Sequence, residues 1–304
     1  MRIRASIGID LVVLFLIPFI RVEAWAKADG AVLFCSGRNN NQDIYLLRCG
    51  ETNPVRLTDH PAKDNCPASS PDGKQIVFLS DRNGSSDLFL MNVDGSGLTQ
   101  LTTSREREGH PEFSPDGKKV IFVRDIGEKT EIWTMRTDGA DQERLTSGDW
   151  RDERPVFSPD GRKLVFMSNR DGNYEIYTMG ADGSGQGRIT RTPWHEAFPV
   201  WSHCGHKIAY SLSRPVNGRP EAGIHIVLAD GTGDAVLTTG PCRDTHPAWS
   251  PDGRFIIFQS DRDGNFELYL MKSDGSDQRR LTDDPAWDGW ASFVGEFSPE
   301  TKNP

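Results

Sequence analysis

The chain is poor in cysteine, has no cluster of basic residues and, beyond its first 26 positions, shows no long apolar run. Its five cysteines are Cys35, Cys49, Cys66, Cys204 and Cys242. They recur at no short paired spacing, which excludes a disulfide framework of the small secreted kind. Their odd number leaves at least one free thiol in a monomer, the state expected here. Net charge is −9, and without a compact Lys/Arg patch a nucleic-acid partner is excluded on electrostatic grounds. Familiar catalytic strings are missing too: G-x-S-x-G, H-E-x-x-H, the P-loop and G-x-G-x-x-G. No enzymatic activity and no cofactor are expected.

What is present begins with a secretory pattern. Arg2 and Arg4 precede an apolar run from Leu11 to Ile20, and Ala24-Trp25-Ala26 forms a small-x-small cleavage site. The run is shorter than the ~20 residues needed to span a bilayer. Residues 1–26 are therefore read as a signal peptide, the competing reading being an uncleaved anchor favoured by Asp10 within the segment. The protein is expected to be periplasmic or secreted, with residues 27–304 as one domain and no membrane span after cleavage.

That domain is rich in turn formers, with 30 Gly and 19 Pro in the whole chain, and it repeats. Ser-Pro-Asp-Gly recurs with its proline at 71, 115, 159 and 251, and Ser202-His203-Cys204-Gly205 is a degenerate copy. Leu-Thr or Ile-Thr recurs with its first residue at 57, 101, 145, 189, 237 and 281, mostly 44 residues apart. A period of about 40–45 residues with four short strands per unit marks a β-propeller. In the third unit, strand a is placed at His110 to Ser114, b at Lys119 to Val123, c at Glu131 to Met135 and d at Glu143 to Thr146. The units run approximately 29–70, 71–114, 115–158, 159–202, 203–250 and 251–298. The first lacks strand a, and the segment from Asp288 to Phe293 falls where a strand a belongs. An all-β, six-bladed propeller closed by a C-terminal strand in blade 1 is the expected fold.

The unit, typified by HPEFSPDGKKVIFVRD and SDRDGNFELYLMKSDGSDQRRLT, resembles the repeat of TolB-like β-propellers. It is similar also to the propellers of prolyl-oligopeptidases and dipeptidyl-peptidases. The resemblance covers about residues 29–293. It implies the propeller without the N-terminal α/β domain of TolB and without the hydrolase domain of the peptidases.

Several residues are potential site groups. An acid stands seven positions after the first residue of each Leu-Thr or Ile-Thr pair: Asp64, Glu108, Asp152, Glu196, Asp244 and Asp288. Lys63, Arg107, Arg151, His195, Arg243 and Trp287 precede them. The loops leading into the innermost strands lie near the channel mouth, so these positions are expected to form an acidic binding rim backed by basic residues. The alternative is structural: each acid pairs with a neighbouring blade or accepts backbone N–H bonds. His110 and His246, each before a strand-a proline, are metal candidates, with Cys66, Arg154, Phe198 and Trp290 at the equivalent places. His203 and His206, in the degenerate a–b turn, are further candidates. Strings such as Asp261-Arg262-Asp263-Gly264-Asn265 resemble the start of a calcium loop but fit tight turns better, with bound Ca²⁺ the alternative. The b–c connection of unit five, from Ser213 to Gly223, is read as a long, functional loop. The expected role is a scaffold binding a protein or an envelope glycan. Oligogalacturonate lyases also resemble TolB propellers, which implies as the alternative an enzyme with a channel-mouth metal.

Overall fold

The computed structural model describes residues 29–298. The proposed signal peptide lies outside the described residues. Six four-stranded antiparallel sheets form a closed ring. Five blades take their strands a to d from consecutive chain, starting at Asp64, Glu108, Asp152, His195 and Asp244. Blade 1 is built from Asp29–Ser36, Asp43–Arg48 and Val55–Arg56, with the last strand of the chain, Asp288–Ser298, supplying its strand a. Val32 lies opposite Phe293, and Ser36 opposite Asp288. Apart from a 3-10 turn at Arg38–Asn40, the described residues contain no helix, and so none long and apolar enough to cross a membrane.

The core lies between blades. Each of six apolar clusters joins one blade to the next, as Val77 and Leu88 of blade 2 join Val120 and Phe122 of blade 3. Strand b is sandwiched on both faces, which explains its continuous apolar sequence. One aromatic of strand b is fully buried in every blade: Phe34, Phe78, Phe122, Phe166, Tyr210 and Phe258. The Leu-Thr repeat has an equally local cause. Its threonine Oγ1 accepts a strand-c backbone N–H 14 residues earlier, at 2.9–3.0 Å in all six blades. In the Ser-Pro-Asp-Gly turn, Ser70 Oγ donates to Asp72 Oδ1 and accepts from the Gln75 N–H, while Gly73 takes φ of 67°.

Two expectations are corrected. The long loop of blade 5 is a hairpin: strands Lys207–Val216 and Arg219–Leu228 continue their pairing to a two-residue Asn217-Gly218 turn. Both turn residues have positive φ, as a turn matching strand twist requires. Strand a of blade 3 starts earlier than expected, spanning Glu108–Phe113. The repeated acids thus belong to the inner strands rather than to the loops before them.

Candidate functional site

Their position in the strand decides what the six acids do. Asp64, Glu108, Asp152, Glu196, Asp244 and Asp288 are all at most 4% exposed, so they form no open acidic rim. Side chains alternate across a strand, so the acid points into the blade while its predecessor points out. In five blades an arginine, from the b–c turn in four and from strand b in blade 3, reaches the carboxylate: Arg82 to Asp64, Arg124 to Glu108, Arg170 to Asp152, Arg262 to Asp244 and Arg38 to Asp288, at 2.6–2.9 Å. The same guanidinium covers the buried aromatics of strands b and c; Arg82 lies 4.8 Å from the Phe89 ring centroid. The signal in the sequence was Ser-x-Arg, repeated at Ser36, Ser80, Ser168 and Ser260. In blade 3 Arg124 itself occupies the serine position and reaches the same carboxylate.

The outward neighbours are exposed at Lys63, Arg107, His195 and Arg243, and half-buried at Arg151 and Trp287. They do not pair with the adjacent acids. Arg151 pairs with Glu153 at 2.6 Å and Arg243 with Asp261 at 2.7 Å. His195 Nδ1 faces the Tyr174 N–H at 3.4 Å. The positions just before the acids are thus mostly basic, while the same loops also carry exposed Asp59, Glu106, Asp149 and Asp283, so the rim is of mixed charge rather than acidic. Trp194, 37% exposed, adds an apolar element on the same loops.

Blade 5 lacks this arginine–carboxylate staple. Leu212 takes the serine position, and Arg214 lies opposite Glu221 in the hairpin. Among the described residues Glu196 has no arginine partner; Thr192 Oγ1 donates to its Oε1 at 3.0 Å. Burial pushes the Glu196 carboxyl up to about 7, with nearby Glu175 acting in the same direction. Asp288 is raised to about 6, again by burial, against the pull of its Ser36 and Arg38 partners. Both carboxyls hold their protons to higher pH in the folded chain than in the unfolded one. Their contribution to stability is fully present below about pH 4 and is lost as pH rises through about 6 to 7. Glu196→Gln is expected to flatten the fall of melting temperature between pH 5 and 8. At pH 8 it should add on the order of 2 kcal/mol, about 4 °C. Thermal melts across this range check it, and an unchanged slope would contradict the assignment.

The second convergence is inside the channel. In every inner strand the residue two after the acid has positive φ: Cys66, His110, Arg154, Phe198, His246 and Trp290, between 50° and 57°. In five of them a proline follows, and the pairing slips by one residue to form a β-bulge. A proline, which has no N–H, fits a strand at such a bulge. Left-handed backbone at six non-glycine residues costs of order 1–3 kcal/mol each. The six side chains line a cavity of about 280 Å³ along the channel.

Within it, Arg154 Nη2 lies 3.2 Å from His246 Nε2, and Phe198 stacks on His246 with centroids 3.5 Å apart. Cys66 Sγ is 3.7 Å from His110 Nδ1. Burial, reinforced by the Arg154 charge, holds both imidazoles well below their usual pKa. The metal candidates are thus divided: His110 and His246 share the channel with a fixed cation, whereas His203 and His206 are exposed on the a–b turn. Among the described residues no three His, Cys, Asp or Glu side chains are grouped to hold a metal ion. The calcium-like strings serve as turns: Asp263 accepts from the Tyr269 hydroxyl, and Asn265 Nδ2 donates to Glu267 and two backbone carbonyls.

A family model described as the TolB beta propeller domain matches residues 23–125, 105–217 and 195–303. The chain belongs to the TolB β-propeller family. No curated protein matches it. TolB from Acinetobacter baumannii is similar at 21% identity and a TM-score of 0.76, over 88% of this chain and 67% of that one. A putative TolB from Agrobacterium tumefaciens is 20% identical, with a TM-score of 0.69 over 90% of this chain and 99% of its own. An oligogalacturonate lyase in complex with manganese is 16% identical, with a TM-score of 0.59 over 82% and 73%. At these identities the likeness to solved structures shows the fold alone. In this TolB-family propeller the channel ring, with an arginine among neutral imidazoles and aromatics, is the most built feature of the surface.

Proposed function

We propose that this TolB-family propeller is an exported, non-enzymatic scaffold of the cell envelope. It holds a partner protein on the face carrying the d–a and b–c loops and the channel mouth. The observation that carries the reading is the inner ring: six strained backbone positions aim side chains into one cavity, and such strain persists where the surrounding structure over-determines it. The d–a loops around it, charged with both signs, and Trp194 supply the polar rim and the aromatic surface that protein interfaces use. Export rests on the charged start, apolar run and Ala-x-Ala site, and is consistent with membership of the TolB family.

The test is a photo-crosslinking amino acid placed at Trp194 or Arg107 on the working face, and at Asp138 in a c–d turn on the opposite face. One discrete partner band from the first two positions and none from the third is the expected result. Equal labelling from both faces, or no partner from either, would overturn the assignment.

A further inference from the structure

The channel contains a cation without a counter-ion. Among the described residues Arg154 makes no ion pair, and its side-chain hydrogen bond goes to His246. Glu153, its chain neighbour, is taken by Arg151 at 2.6 Å and by the Tyr174 hydroxyl at 3.2 Å. Glu112 also lines the channel, further along the inner strand from His110, and makes no ion pair with Arg154. A guanidinium drawn from bulk water needs anionic or hydrogen-bonding partners, and its planar fork fits a carboxylate better than any other common anion except phosphate.

The groups around Arg154 are held in a fixed arrangement. Gln259 Oε1 accepts from the Trp290 backbone N–H at 3.1 Å, and its Nε2 donates to Thr245 Oγ1 at 3.0 Å. His246 Nδ1 lies 3.2 Å from the same hydroxyl oxygen. That leaves His246 Nε2 as the acceptor facing Arg154, a neutral tautomer set by its partners. Arg154 packs over the Phe198 ring at 4.7 Å, and Trp290 closes the other side of His246 at 6.3 Å. The site therefore combines one fixed positive charge with aromatic walls, in a chain whose overall charge is −9.

We propose that the channel binds a carboxylate attached to an apolar group, with Arg154 pairing the carboxylate and Phe198 and Trp290 packing the apolar part. This rests on the scaffold reading for the origin of the ligand: a segment of the partner protein entering the channel mouth. A free small carboxylic acid has the same chemistry, and the experiment separates the two sources.

The probes are N-acetyl-L-phenylalanine, its amide, and an N-acetylated decapeptide ending in phenylalanine with a free or an amidated C-terminus. They are titrated by calorimetry into the full mature protein. The acid should bind at least tenfold more tightly than the amide, weaken as salt is raised, and lose at least tenfold in Arg154→Gln. Arg154→Lys, which keeps the charge without the fork, should fall between. If Arg154→Gln does not fold, the acid–amide comparison on the unmodified protein and Arg154→Lys still decide. A free-acid decapeptide tenfold tighter than the small acid supports a partner segment, and equal affinities support a free small acid. Acid and amide binding equally, or neither binding, would overturn the proposal. Crosslinking that still finds one partner at Trp194 would then leave the scaffold standing without its carboxylate.

Discussion

Deleting residues 288–304 is expected to abolish the single cooperative unfolding transition and to leave an aggregating chain. The strand Asp288–Ser298 is the inner strand of blade 1 and also lies against blade 2, where Ser69 Oγ donates to the Phe293 carbonyl at 3.0 Å and Ser292 Oγ to the Pro67 carbonyl at 3.2 Å. Phe293 belongs to the cluster joining blades 1 and 6, with Val32, Phe34, Phe255 and Ile257. Its removal opens a sheet edge, uncovers that cluster and takes Asp288 away from Arg38. Open edges of this kind template association between chains. Melting followed by circular dichroism, with light scattering at micromolar concentration, reads both effects. A truncated chain that melts like the intact one would refute the closure.

The buried staples should give the next largest effect. Asp152 is 1% exposed, accepts from Arg170 at 2.8 Å and from the Trp150 indole N–H at 3.1 Å, and holds Arg170 over three aromatic rings. Asp152→Asn preserves shape, removes the charge and leaves a desolvated guanidinium unpaired. Breaking one side of a buried pair costs about 3–5 kcal/mol, a fall in melting temperature on the order of 5–10 °C. Arg107→Ala, on the exposed neighbour position, should stay within about 0.5 kcal/mol. Differential scanning calorimetry of the two variants separates them. An unchanged melting temperature in Asp152→Asn would mean that the acids are not staples.

The two variants restate what could be read from the repeat and what could not. Period and order of the acids were legible, because a 44-residue spacing is a chain property. Their burial was not. Arg82, Arg170 and Arg262 each stand 18 residues after the acid they serve, and the basic residue immediately before each acid is the more conspicuous partner on paper. Strand alternation sends that neighbour outward, a consequence that follows only once the acid is known to lie in the strand rather than ahead of it. Blade 5 shows the same limit. Its four additional residues read as a loop, yet Asn217-Gly218 needed only two residues to turn, and cross-strand pairing absorbed the rest.

By itself the sequence determined the six-bladed β architecture, the strand that closes it and the turns that punctuate it. All of these follow from local chemistry repeated at a fixed period: apolar runs, Asp-Gly turns, and a threonine answering a backbone N–H 14 residues away. The tertiary structure alone decided the character of the channel. Cys66, His110, Arg154, Phe198, His246 and Trp290 come one from each blade, far apart in the chain, and meet only when the ring closes. The repeated acids pointed to an acidic rim, but five of them pair with arginines inside the blades and the sixth, Glu196, is buried. The character of the lumen was left to the few groups that line it, Arg154 of the inner ring and Glu112 further along, because a local field follows the nearest charges and not the sum over the chain.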